Sequence, residues 1–176
     1  MYNFIIDYTL ADLGEITEPV TVVEAKQYCR VTNNVEDDLF AELITQSREA
    51  MEKAMGISIT PKTATVWFTN TATMFQLPFG PVTDFTSLTA ANGVEIAATA
   101  YNLIGGEYPS LAFPAFADMK AIYETGFTSV PKEIKIGMLD QINYGYENRG
   151  MDVNDLGICE KTWRVCQRWT RTSPIL

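Results

Sequence analysis

Cysteine, serine and carboxylate side chains are the groups in this chain that could act as nucleophiles, acids or bases. None stands in a pattern that supports such chemistry. The 176 residues include no histidine, which removes the commonest general base and metal ligand together. Ser47, Ser58, Ser87 and Ser110 therefore lack an imidazole to activate them, and none sits in a nucleophile elbow. Gly105-Gly106 is a lone pair without the rest of a phosphate-binding loop. The Glu36-Asp37-Asp38 cluster suits the first turn of a helix, where the dipole favours acids. Cys29 lies mid-helix in AKQYCRV and is expected in a core. Cys159 and Cys166 fall on one face of a predicted helix but about two turns apart, too far for a disulfide. Their spacing suits no metal site. The expectation is a protein that is not an enzyme, without catalytic residue, cofactor or metal, acting through its surfaces.

Composition sets bounds on those surfaces. Apolar residues make up 47% of the chain and charged ones 20%, ordinary for a soluble globular protein with one domain or one core plus a subdomain. No apolar run reaches the length of a membrane helix. The start MYNFIIDYTLADLGE does not read as a signal peptide, so a reducing cytoplasm is the expected compartment. Net charge is −9 and uneven: residues 1–60 are strongly acidic, whereas 159–176 set Glu160 against Lys161, Arg164, Arg168 and Arg171. An acidic body with a basic end is a poor general nucleic-acid binder but could hold an acidic partner, including another copy of itself.

The elements that must position those surfaces follow along the chain. Residues 1–18 are expected as an extended N-terminal arm. Residues 19–56 form a predicted helical hairpin. Its first helix opens on a Thr21/Glu24 capping box. Its second runs from Glu36 to about Met55, with Asn34 and Asp37 as caps, Leu39, Phe40, Leu43, Ile44, Ser47, Ala50, Met51 and Ala54 on one broad face, and Gly56 as its stop.

Residues 57–128 hold short β-branched or aromatic runs split by turn signals, among them Asn92-Gly93, a two-residue hairpin turn. They read as an antiparallel β insertion. Met119, Ala121 and Tyr123 alternate as a strand before a turn at Gly126. Residues 129–150 form a long helix started by Pro131, with Ile134, Met138, Ile142 and Tyr146 as its apolar stripe. Residues 151–176 comprise a polar linker and an amphipathic helix. That helix sets Ile158, Cys159, Val165, Cys166 and Trp169, with Trp163 at the edge, against the basic face of Lys161, Arg164, Arg168 and Arg171. The basic face is a solvated surface, a docking surface for an acidic neighbour, or a membrane-surface face; the chain's acidity argues against the last. The expected fold class is α+β, mainly helical: an N-terminal helical hairpin and C-terminal helices with a small antiparallel β-hairpin insertion.

Four segments in order resemble one family. Pro19-Val-Thr-Val-Val-Glu-Ala-Lys-Gln-Tyr-Cys-Arg-Val31 is similar to P-V-[ST]-x-x-E-A-K-x-x-[LC]-R-[VI]. The helix from Glu36 through Ile44 and Arg48 to Gly56 follows. Then come Leu77-Pro-Phe-Gly-Pro-Val82 and the Asn92-Gly93 hairpin. Last is Y-x-x-G-[FY]-x-x-V-P-x-x-I-K from Tyr123 to Lys135, closed by Tyr146-Glu-Asn-Arg149. Together they resemble the head–tail connector (adaptor, or head-completion) proteins of tailed bacteriophages. The resemblance implies a structural protein of the virion neck, assembled in the host cytoplasm. Such a protein forms a ring, usually dodecameric, under the portal protein. The ring extends the DNA channel, through which DNA passes without sequence-specific binding, and is a platform for stopper or tail proteins. It has no membrane partner. Docking to the portal or a neighbouring subunit then falls to Lys161, Trp163, Arg164, Arg168, Trp169 and Arg171. The competing expectations are another neck ring protein, such as a stopper or tail terminator, and a non-phage binding module.

Overall fold

The computed structural model describes residues 4–69, 74–113, 117–150 and 157–170. The described residues fall into two compact units, one of residues up to Ile16 with Gly56–Thr128, the other of Thr17–Met55 with Ser129–Thr170.

The first unit is built of strands. Four form an antiparallel sheet in the order β1 (Phe4–Asp12), β2 (Lys62–Thr69), β7 (Asp118–Thr125), β4 (Val82–Ala90). Three short strands form a second sheet in the order β3 (Met74–Gln76), β6 (Ser110–Ala112), β5 (Asn102–Ile104). Alternation places the core. Ala64, Val66 and Phe68 of β2 face Tyr123, Ala121 and Met119 of β7 in register, and all six are buried. Phe75, Leu77, Phe79, Leu88 and Leu111 complete the cluster, and the Phe68 and Phe75 rings stack with centroids 3.9 Å apart. Gly126 follows β7 at φ +113°, and a Cβ there would lie 2.3 Å from the Thr60 carbonyl oxygen, so only glycine fits this turn. At Asn92-Gly93 the chain reverses, and the segment after the turn pairs with β4 through a single bridge, Thr89 to Glu95.

Among the described residues the second unit holds four helices: α1 (Val22–Tyr28), α2 (Asp37–Met55), α3 (Lys132–Glu147) and α4 (Glu160–Trp169). The Thr21/Glu24 box closes on both sides: the Glu24 N–H donates to Thr21 Oγ1 at 3.2 Å, and the Thr21 N–H donates to Glu24 Oε2 at 2.8 Å. Asn34 and Asp37, expected as caps of α2, instead receive the buried Lys26 ammonium and tie α1 to the start of α2. Ile134, Met138 and Ile142 of α3 are buried, and Tyr146 stacks on Phe40 while its hydroxyl donates to Glu36 Oε2 at 2.7 Å. The broad face of α2 divides: Phe40, Ile44, Ser47 and Met51 are buried, whereas Leu39, Leu43, Ala50 and Ala54 line an open groove of about 730 Å³ beside Gly145 and Ile158.

A mainly helical fold with a small β-hairpin insertion is therefore corrected. Among the described residues, four helices stand beside seven strands in two antiparallel sheets, 36% helix against 29% strand. The strand unit has its own core. It also recruits Phe4–Asp12, expected only as an extended arm, whose hydrogen bonds go to β2.

Candidate docking surface of the C-terminal helix

Five of the six expected docking residues, Lys161, Trp163, Arg164, Arg168 and Trp169, lie on α4, so its anchoring to α3 decides what they can reach. Gly137 of α3 sets the approach of α4, and Gly145 sets that of α2. A Cβ at Gly137 would lie 3.0 Å from Met51 Cε and 3.3 Å from Val165 Cγ1, and one at Gly145 would lie 3.0 Å from Leu43 Cδ2. The fully buried Thr162 uses the first gap, donating through Oγ1 to the Gly137 carbonyl at 2.8 Å. Gln141 of α3 holds the entry to α4 with both ends of its amide. Its Nε2 donates to the Gly157 carbonyl at 3.0 Å, and its Oε1 accepts from the Cys159 N–H at 2.9 Å. The second bond satisfies an N–H that a helix start would otherwise leave free. Cys166 is fully buried, and burial pushes its thiol up to about 11.

Each described cation of the basic face lies beside a carboxylate of its own chain. Lys161 Nζ lies 3.6 Å from Asp140 Oδ1, Arg164 pairs with Glu160 one turn earlier, and Arg168 pairs with Glu133. Glu133 also accepts the Trp169 indole N–H at 3.1 Å, so Arg168 and Trp169 converge on one carboxyl group. Asp140 likewise accepts the Tyr28 hydroxyl at 2.8 Å, a bond that with burial raises the pKa of that phenol. Trp163 keeps 46% of its surface exposed. Arg171 lies outside the described residues. The basic face thus exists, with its charges partly matched from α3. Exposed pairs of this kind contribute about 0–1 kcal/mol each, so a better-placed acidic partner can displace them.

A second charged cluster escaped sequence reasoning. Arg48 of α2 is 2% exposed; its Nε lies 3.0 Å from Glu18 Oε2 and its Nη1 3.0 Å from Glu52 Oε2. Burial works against the guanidinium charge, and the hydrogen bond it donates to Glu18 with the fields of Glu52, Glu18 and Glu49 outweighs it, so its pKa is raised. Thr45 Oγ1 donates to the same Glu18 at 3.1 Å. The Arg48/Glu52 spacing of one helical turn is visible in the sequence; Glu18, 30 residues away, is not.

Among the described residues, no group of His, Cys, Asp and Glu could hold a metal ion, and no helix is long and apolar enough to cross a membrane.

The fold is shared with solved structures: along the sequence, residues 17–55 and 129–170 supply a helical unit, and the residues between and before them an antiparallel two-sheet unit. One solved structure with this fold is a chain from the "neck of empty GTA particle computed with C6 symmetry", at TM-score 0.69 and 17% identity, over 92% of this chain and 95% of that one. Another is a chain from the virion of a native gene transfer agent (GTA) particle, at TM-score 0.65 and 18% identity, with the same coverage. At such identity the likeness is one of fold. No protein-family model and no curated protein sequence matches the chain.

Proposed function

We propose that this chain is a structural adaptor of the head–tail junction in a tailed phage or phage-like particle. In this reading, copies form a ring, twelve-fold by resemblance, beneath the portal protein. The ring extends the DNA channel and presents a platform to the stopper or tail. The observation that carries the reading is the shared fold, over 92% of this chain, with a chain from a GTA particle neck. The four ordered motifs between Pro19 and Arg149 support it independently. A net charge of −9 per subunit suits a channel wall, because a negative lining repels phosphate and lets DNA slide.

The α4 face is the docking surface for an acidic portal groove or adjacent subunit. Lys161, Arg164 and Arg168 exchange their own carboxylates for the partner's, and Trp163 and Trp169 are the aromatic anchors. Neutralising Lys161, Arg164 and Arg168 together to glutamine is expected to weaken capture of the chain by its particle's portal protein at least about tenfold, with an unchanged melting profile. Undiminished capture would contradict the assignment of this face.

A further inference from the structure

The outer edge of β1 is built to accept another strand. Leu13 donates to the Pro61 carbonyl at 3.1 Å, and the register with β2 is regular from Asp7 to Asp12. Antiparallel alternation then puts the ladder bonds on Thr9 and Ala11 and turns the N–H and C=O groups of Tyr8, Leu10 and Asp12 outward. β1 ends the sheet order, so among the described residues no strand lies beyond it. The Tyr8 N–H donates to Asp7 Oδ1 at 2.8 Å, a side chain standing in for a strand. Beside this backbone, Ile6, Tyr8, Leu10 and Leu13 are 59%, 44%, 38% and 45% exposed.

The opposite edge of the same sheet is defended. β4 carries two register irregularities and is covered by the returning chain through Ala90 N–H to Val94 O and Ile96 N–H to Leu88 O bonds. β1 has one irregularity, at Ile6, and no lysine, arginine or proline, the residues that usually blunt an exposed edge.

Charge selects the occupant. Asp7, Asp12 and Glu15 are exposed along this stretch, and the first basic residue of the chain is Lys26. A second copy would bring the same acids to the edge, with a net charge of −9 on each subunit. We propose that β1 binds by strand addition an extended segment of a different polypeptide in which apolar and basic residues alternate. The apolar positions would cover Tyr8 and Leu10 on one face, and the basic ones would meet Asp7 on the other. This inference stands on β1 alone and does not need the neck assignment.

Amide hydrogen exchange on the full chain tests it, with an acetylated, amidated Lys-Val-Lys-Val-Lys-Val-Lys peptide as the probe. The peptide is expected to slow exchange of the Leu10 and Asp12 amides at least about tenfold. Its Glu-Val counterpart and a version interrupted by proline should not. Leu10→Pro, which removes an outward N–H but no ladder bond, should abolish the protection. Leu10→Lys, which keeps the strand backbone and adds a like charge, should weaken it. Absence of protection by the Lys-Val peptide overturns the proposal, as does equal protection by the Glu-Val peptide. Protection that appears without peptide and grows with protein concentration would assign the edge to a second copy and overturn it as well.

Discussion

Arg48 shows how a single side chain organises its surroundings. It lies 2% exposed between Glu18 and Glu52, so removing it leaves two carboxylates facing one another in a largely dry site. Arg48→Ala should cost about 3–5 kcal/mol in urea unfolding. Replacing Glu18 and Glu52 with glutamine as well should recover much of that loss, and a near-neutral single variant would show that the cluster is not energetically coupled. Cys166 supplies a second test at this scale. Its folded thiol is raised by burial to about 11 from an ordinary 9.0. The folded chain thus keeps a proton that the unfolded chain releases. The corresponding stability is complete below about pH 9 and lost as pH rises toward about 11. The buried Tyr123 hydroxyl, raised by the same desolvation, acts in the same direction at higher pH. Cys166→Ala should flatten the fall in melting temperature across this alkaline window, and an unaltered slope would contradict the assignment.

Among the elements, α4 depends on Gln141 for its entry. Gln141→Leu deletes both the bond to the Gly157 carbonyl and the bond from the Cys159 N–H. Faster hydrogen exchange across Glu160–Trp169, with α2 unchanged, is the expected outcome; uniform exchange would place the hold on α4 elsewhere. Much of this scale was legible in the sequence. The Thr21/Glu24 box, the alternation of Met119, Ala121 and Tyr123, the turn at Gly126 and the stripe on α3 are local patterns, and local backbone and side-chain geometry enforces them. What escaped is non-local. β1 pairs with residues 62–69 far along the chain, and its irregularity at Ile6 breaks the period-2 pattern that would have announced a strand. Asn34 and Asp37 have the chemistry of caps, yet the Lys26 ammonium offers them a charge-assisted bond. The basic face of α4 was legible as a pattern, but its partners Glu133 and Asp140 lie on another helix, which periodicity cannot reveal.

At the scale of the whole molecule, the proposed function rests on assembly. In the proposed ring, a net charge of −9 on each subunit would make the conduit wall acidic. The acidic wall makes a prediction of its own. Lowering the subunit's negative charge, through Asp→Asn and Glu→Gln changes on the surface that faces the channel, should slow DNA ejection from assembled particles, with the largest effect at low salt, where charges are least screened. Ejection indifferent to both charge and salt would remove the lubricating role. The most direct measurement is electron cryomicroscopy of purified, tail-bearing particles, with this chain traced in the density of the neck. The account predicts a closed ring of copies directly below the portal, coaxial with the DNA channel, with α4 against an acidic surface. Particles that are tailed and infectious without this chain, or density placing it in the capsid shell or at the tail tip, would contradict it.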